Sequence, residues 1–414
     1  MKPLPCFALL LSTLSVAALF GADSSPVADP ALQPAQVTER PATGYKLAER
    51  AFQGIPGLAR APGGRLWATW YGGGGDEGPE NYVMLVTSGD DGRTWSEIQR
   101  VIDPPGLLRT FDPGLWIDPQ GKLWWFYMQS YGFWDGRAGV WASTTDEPDA
   151  AAPRWSPPRR LADGIMMNKP TVLRDGNWLF GISIWAQEPA QDLPTSDRKH
   201  VPNTQNKWDP ATVGAHVYRS TDRGRTFTKI ATVKTADPSP DEHMIVERRD
   251  GSLWMLLRDR GGMSESVSTD RGATWSAPQP ALIPHAISRF FIRRLRSGNL
   301  LLVKHNPPTI DPAWLKGQPV PKAKIGRSHL AAYLSADDGK TWTGGLMLDE
   351  RTNVSYPDGD QAADGRIYMV YDRNRKAERE ILVASFTEAD IAAGKFVDPR
   401  SALRLLVTSV GPAK

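Results

Sequence analysis

The 414-residue sequence has a single cysteine, Cys6, only six histidines and no long block of like charge. Because Cys6 lies at the extreme N-terminus, the remainder of the chain can form no internal disulfide, and its stability must come from packing and closure. Lys plus Arg number 49 against 46 Asp plus Glu, so no basic stretch is available to grip a polyanion, and nucleic acid is not expected as a partner. No group of Asp, Glu, His or Cys has metal-ligand spacing, which predicts no metal and no cofactor.

Only one apolar run stands out, Phe7 to Phe20. At about 14 residues it is too short to span a bilayer. Preceded by Met1 and Lys2 and followed by the small residues Gly21 and Ala22, it reads as a cleaved signal peptide over residues 1–22. The expectation is a secreted or periplasmic protein with no membrane span in the mature chain. Residues 23–45, rich in Pro, Ala and Ser, read as a flexible tether before the fold.

What the chain does contain points to strands. Sixteen Trp, 38 Gly and 35 Pro describe aromatic segments punctuated by turns, the composition of an all-β protein. One string recurs four times: SGDDGRTW from Ser88, STDRGRTF from Ser220, STDRGATW from Ser268 and SADDGKTW from Ser335. It suits a hairpin turn in which Ser and Asp side chains bond turn amides, Gly takes a positive φ and the aromatic packs beneath the next strand. These aspartates are therefore assigned a structural role.

A second, fainter repeat covers the chain: an apolar strand, a turn ending in Gly, then a strand rich in Trp, Leu or Tyr. Copies begin at Ile55, Asp112, Lys169, Glu242, Arg289 and Tyr356, with turn glycines Gly64, Gly121, Gly176, Gly251, Gly298 and Gly365 roughly 47 to 75 residues apart. That spacing suits four-stranded blades. Where the Asp-turn string is missing, STTDEPDAAAPRW from Ser143 and SFTEADIAAGKF from Ser385 stand in its place. The prediction is one six-bladed β-propeller over residues 46–411, with no second domain.

With the strands of a blade named A to D from the channel outward, the Gly turn joins A to B and the Asp turn joins C to D. Both fall on one face. The start of A and the B-to-C loop fall on the other, so the residues opening the A strands ring a channel mouth: Gln53, Asp112, Lys169, Glu242 with His243, Arg289 and Tyr356. Carboxylates, cations and a tyrosine at equivalent positions suggest a functional ring. The long B-to-C loops 186–213 and 306–326 overhang this mouth as possible lids, with Trp134, Trp208 and Trp314 as possible sugar platforms.

The Asp-turn string and the six-blade order resemble the sialidase superfamily, in its BNR or Asp-box branch, over essentially the whole mature chain. The resemblance implies an exo-acting glycoside hydrolase that releases terminal sialic acid, or another acidic sugar, from glycoconjugates with retention and without a cofactor, and a monomer is expected. It further implies a tyrosine nucleophile paired with a glutamate, an aspartate as acid/base and three arginines on the substrate carboxylate. Tyr356 in VSYPDG matches the nucleophile, Glu242 in EHMIVE its partner, Arg258 in LWMLLR and Arg327 before the Asp turn of blade five two of the arginines. Asp76 in GGGGDEGPENYV matches the acid/base, with Glu77 and Glu80 as rivals.

One position departs from the pattern. The first arginine belongs in a string F/Y-R-I-P, but here the string is QGIP, with Gly54 in its place and Gln53 beside it. Arg289 or Lys169 could replace the lost charge, and Asp372 in YMVYD stands where the family carries the acid that arginine leans on.

The chemistry has a physical reason. A carboxylate nucleophile would approach an acidic sugar against like charge, at a cost of roughly 4 kcal/mol for two charges 4 Å apart at a dielectric of about 20. A neutral phenol avoids this, provided a base sits at hydrogen-bond distance. Two other readings of the same residues are a propeller glycosidase or polysaccharide lyase of different specificity using His243, Tyr356 or Lys169 as base, and a sugar-binding propeller without catalysis.

Overall fold

The computed structural model describes residues 29–132, 134–185, 209–239, 241–321 and 324–410. The segment read as a signal peptide and the first long loop up to residue 208, with Trp208, lie outside the described residues. The expected propeller is there, as six antiparallel sheets in chain order.

A short outer strand β1 (Val37–Glu39) precedes blade one, which comprises β2 (Gln53–Arg60), β3 (Leu66–Gly72), β4 (Tyr82–Ser88) and β5 (Arg100–Ile102). Blade two is β6 (Leu108–Ile117), β7 (Leu123–Tyr131), β8 (Gly139–Thr145) and β9 (Arg159–Asp163). Blade three is β10 (Thr171–Val172), β11 (Trp178–Ile184), β12 (Gly214–Ser220) and β13 (Thr228–Val233). Blade four is β14 (Met244–Glu247), β15 (Leu253–Asp259), β16 (Gly262–Ser268) and β17 (Gln279–Pro280). Blade five is β18 (Phe291–Arg294), β19 (Leu300–His305), β20 (Ser328–Ser335) and β21 (Thr343–Thr352). Blade six is β22 (Val354–Gln361), β23 (Ile367–Arg373), β24 (Glu380–Phe386) and β25 (Ala402–Thr408).

The Asp turns behave as their residue types require. In each of the four, the Ser hydroxyl donates to the Asp Oδ1 at 2.8–2.9 Å and the Thr hydroxyl to Oδ2 at 2.6 Å. Oδ1 also accepts the Thr backbone N–H at 2.9 Å. These bonds hold the Asp90, Asp222, Asp270 and Asp337 carboxyls below their ordinary range, although desolvation opposes the shift. The degenerate sixth copy becomes a short helix, α1 (Glu388–Ala393), capped by Thr387 at one end and by left-handed Gly394 at the other.

Tryptophans fill the spaces between blades. Trp116 meets Trp178 edge-on at 4.8 Å between blades two and three, and Trp67 meets Trp155 at 5.9 Å. Blade six closes onto blade one through three aspartates that accept backbone N–H groups of β2: Asp372 from Ile55, Asp358 from Leu58 and Asp360 from Arg60, at 2.7–3.0 Å. The closure replaces the missing disulfides with buried charge-assisted bonds.

Part of the expected tether belongs to the fold. Strand β1 pairs with β5 as a fifth strand of blade one, and the Gln129 amide donates to the carbonyls of Pro30, Ala31 and Gln33. Proline-rich composition concealed a segment whose backbone groups find partners on the propeller. No helix among the described residues is long and apolar enough to cross a membrane.

Candidate functional site

Four of the six A-strand openings carry a non-glycine residue in the left-handed region: Ile55 (φ 57°), Asp112 (φ 45°), Glu242 (φ 38°) and Tyr356 (φ 55°). A left-handed residue costs free energy. Register shifts follow immediately at three of these positions, between Gly54 and Gly57, Phe111 and Gly114, and Ser355 and Asp358. The bulge re-aims the side chain at the strand start.

Tyr356 and Glu242 meet as the strand order predicts. The Tyr356 hydroxyl donates to Glu242 Oε1 at 2.6 Å. Arg258, at the end of β15, donates from Nη1 to Glu242 Oε1 at 2.5 Å and to the Tyr356 hydroxyl at 2.9 Å. The triangle is nearly dry, with Tyr356 5% and Glu242 4% exposed. Burial, and then the Glu242 charge, push the Tyr356 phenol well above its ordinary value, while Arg258, Arg327 and Arg375 pull it back. The phenol is therefore held neutral, beside cations that would stabilise it as an anion.

Two further guanidiniums cover the ring. Arg327 lies 5.5 Å from the Tyr356 ring centre and donates to the Ile287 carbonyl. Arg375, which the sequence reading missed, lies closer, at 4.2 Å. It follows β23 and donates to Asp372 Oδ2 at 2.9 Å and to the Ser355 hydroxyl at 3.2 Å. A Cβ added to Gly54 would fall 2.8 Å from the Arg375 Cγ, Cδ and Nε. The glycine thus leaves the space through which Arg375 reaches the mouth, and Asp372 braces the Arg375 guanidinium.

Arg289 and Lys169 do not replace that charge. Lys169 Nζ donates to Asp358 Oδ2 at 2.7 Å and to the carbonyls of Leu58 and Leu115, and Arg289 lies 3.3 Å from Asp358 Oδ1. Both are bound deeper in the channel, where one carboxylate from blade six holds them. Gln53 is also structural: its amide oxygen accepts from Arg50 and Trp70, and its amide nitrogen donates to the Arg379 carbonyl. His243 is buried, with Nδ1 against Ser183 and Nε2 against the His216 carbonyl.

The Gly-rich loop separates its carboxylates. Asp76 is 64% exposed at its side chain and pairs with Lys376, which helps to hold its carboxyl low against the opposing effect of desolvation. Glu77 turns inward, 3.5 Å from Arg375 Nη1. Its charge reaches Asp112, whose carboxyl is pushed up to about 8 by burial first and by Glu77 second. Glu80 stays with the loop, its Oε2 close to Gly74. Tyr71 and Arg109 complete this side, the Arg109 guanidinium 5.4 Å from the Tyr71 ring centre.

Several groups here are buried without a hydrogen-bond partner among the described residues, including Glu242 Oε2 and the Tyr71 hydroxyl. Unpaired buried polar atoms cost free energy and mark a place where a polar ligand can complete the bonding. Of the proposed sugar platforms, Trp134 and Trp314 are 1% and 2% exposed. Both are used as packing, Trp134 against Trp185 and Trp314 against Tyr333. Among the described residues no group of three metal-ligating side chains occurs.

Comparison with known proteins agrees with this architecture. The chain is similar in structure to the Hadza microbial sialidase Hz136, at 18% identity and a TM-score of 0.56 over 78% of this chain, spanning 63% of that one. It is also similar to the intramolecular trans-sialidase from Ruminococcus gnavus, at 13% identity and a TM-score of 0.58 over 88% of this chain and 99% of that one. A protein of unknown function from Dyadobacter fermentans shares 17% identity and a TM-score of 0.55, over 83% of this chain and 95% of that one. No curated protein sequence matches the chain. The BNR repeat-like domain matches residues 64–369, and with six blades, four Asp turns and that match spanning most of its length, the chain belongs to the BNR repeat-like family.

Proposed function

We propose that the protein is an exo-acting glycoside hydrolase that releases a terminal acidic sugar, sialic acid first among them, with retention of configuration. The observation that carries this reading is the Tyr356–Glu242–Arg258 triangle, with a 2.6 Å bond from phenol to carboxylate in a nearly dry site. In this reading Glu242 takes the Tyr356 proton as the phenol oxygen attacks the anomeric carbon. The Arg258 N–H directed at the phenol oxygen stabilises the charge that develops there.

Arg258, Arg327 and Arg375 bind the substrate carboxylate by forked, charge-assisted bonds. Arg375 takes the part of the arginine absent at position 54. The Glu77 and Asp112 carboxyl groups supply the leaving-group proton, since Asp112 at about 8 retains its proton at neutral pH and two like charges in one place cannot both ionise cheaply. Asp76, paired with Lys376 at the surface, would act only after the loop rearranges. Residues 1–22 read as an export signal, which suits a glycan substrate outside the cytoplasm.

The lyase alternative is the weaker one, because two of its three candidate bases, His243 and Lys169, are committed to bonds inside the fold, which leaves it Tyr356 alone. The test is hydrolysis of a fluorogenic sialoside by the wild type and by Glu242→Gln. Turnover by the first and its near-total loss in the second is expected. A folded wild type that leaves all acidic glycosides intact would reject the reading.

A further inference from the structure

The opposite mouth of the channel, where the A strands end and the A–B turns begin, carries a second concentration of cations. Two cavities of about 430 and 540 Å³ lie there, sharing Val172, Phe291, Arg293 and Arg294 as common walls. Volumes of this size are those of small-ligand sites. Together they are lined by eight cationic side chains and three acidic ones, in a chain whose overall net charge is only +3.

The three acids are already committed. Glu247 accepts the Arg174 backbone N–H at 2.8 Å and lies 3.2 Å from its Nε, and Asp360 accepts the Arg60 and Gln361 backbone N–H groups. Asp118 accepts from the Gln120 and Lys122 backbones and from the Trp124 indole. The cations are less fully matched. Arg294 and Arg249 share Asp338, but the Arg293 and Arg296 side chains have no hydrogen-bond or ion-pair partner among the described residues. Arg293 stands between the two cavities. Low-dielectric walls around a net excess of positive charge focus the field into the opening.

We propose that this mouth is a second binding site, separate from the Tyr356 mouth, for the carboxylate or sulfate of an acidic saccharide. Arg293 and Arg296 present their guanidinium forks to the oxyanion. Val172, 37% exposed, offers apolar surface to the C–H face of a sugar ring, and buried Phe291 forms the wall behind it. No phenol–carboxylate pair lines these cavities among the described residues, so the role assigned to the site is binding, and the choice of a saccharide rests on the function proposed above.

Calorimetric titration tests this with a sulfated disaccharide and with sodium sulfate at matched low ionic strength. The proteins are the wild type, the double variant Arg293→Ala/Arg296→Ala and Tyr356→Phe. The disaccharide should bind the wild type and Tyr356→Phe equally, and at least about tenfold more weakly to the double variant. Because neither arginine has a partner to lose, the double variant should melt at the wild-type temperature, and Arg293→Lys/Arg296→Lys should bind at an intermediate level. Sulfate as tight as the disaccharide would overturn the saccharide assignment. No binding, or binding that the double variant preserves, would overturn the site.

Discussion

The two mouths of the channel are opposite ends of the same six A strands, and both collect arginine, yet only one holds a buried phenol bonded to a carboxylate. Where the strands begin, guanidiniums surround a buried phenol bonded to a carboxylate, at positions whose backbone is left-handed. Where they end, arginines stand around open cavities with their few acidic neighbours already bonded. In the proposed roles, positive charge attracts an acidic ligand at either end. Reaction additionally requires an acceptor for the Tyr356 proton, a donor for the leaving group, and exclusion of water. Along the A strands themselves, the left-handed non-glycine residues fall at the Tyr356 end, whereas glycines take the positive φ in the A-to-B turns at the other end.

The largest effect should come from removing the proton acceptor. Glu242→Gln keeps the shape of the site but cannot accept the phenol proton, so kcat should fall by about 10³-fold or more while binding at the other mouth is unchanged. Steady-state kinetics with an activated aryl glycoside, alongside the titration above, would show the split. Equal losses at both mouths would mean the variant is misfolded, and no loss at either would remove Glu242 from the chemistry.

Next in size is the relocated cation. Arg375→Ala should lower kcat/KM by about 10- to 100-fold, the value of a lost charge-assisted bond. Because Gly54 leaves the space Arg375 fills, Gly54→Arg in the Arg375→Ala background should recover part of that loss, whereas Gly54→Arg alone should clash and destabilise. Failure of the paired variant to recover would mean that the charge itself is not what Arg375 contributes.

The loop carboxylates should give a smaller and more selective effect. Glu77→Gln and Asp112→Asn should slow cleavage of a natural sugar linkage by about 10²-fold, but an aryl glycoside with an acidic leaving group much less, because a good leaving group needs little protonation. Asp76→Asn should change either rate by less than about threefold on the same scale. The reverse ranking would return the proton-donor role to Asp76.

The smallest effect is on stability. Folded Asp112 retains its proton up to about 8, whereas an unfolded Asp loses it near about 3.9. Between those values the folded state binds more protons, so stability falls as pH rises through that window and the penalty vanishes below it. Asp241, also pushed up to about 8, by burial and then by Glu242, acts in the same direction. Asp112→Asn should therefore raise the melting temperature by a few degrees at pH 8 and leave it unchanged at pH 4.

The architecture was legible because its signals are local and repeated. The Asp turns encode their own bonds within seven residues, and the Gly turns mark every A-to-B hairpin in phase. Tyr356, Glu242, Arg258 and Arg327 were legible because strand order alone brings strand starts and ends to a common face. Arg375 was not, since it lies in the charged loop YDRNRKAERE outside any repeat, and nothing local says that its side chain crosses above Gly54. The opposed orientations of Asp76 and Glu77 depend on Lys376 and Arg375 roughly 300 residues away. The second mouth was hidden by a balanced total charge, because only the fold gathers arginines from the separate turns LARAPGG, VERRDG and IRRLRSG onto one rim.

The central claim is that the Tyr356 oxygen forms the bond to the sugar. Proton NMR of the first-formed product from a sialoside, recorded for the wild type and for Tyr356→Phe, tests it most directly. The account predicts the retained anomer from the wild type and a turnover at least about 10³-fold slower from Tyr356→Phe. An inverted first product, or full activity in Tyr356→Phe, would contradict it.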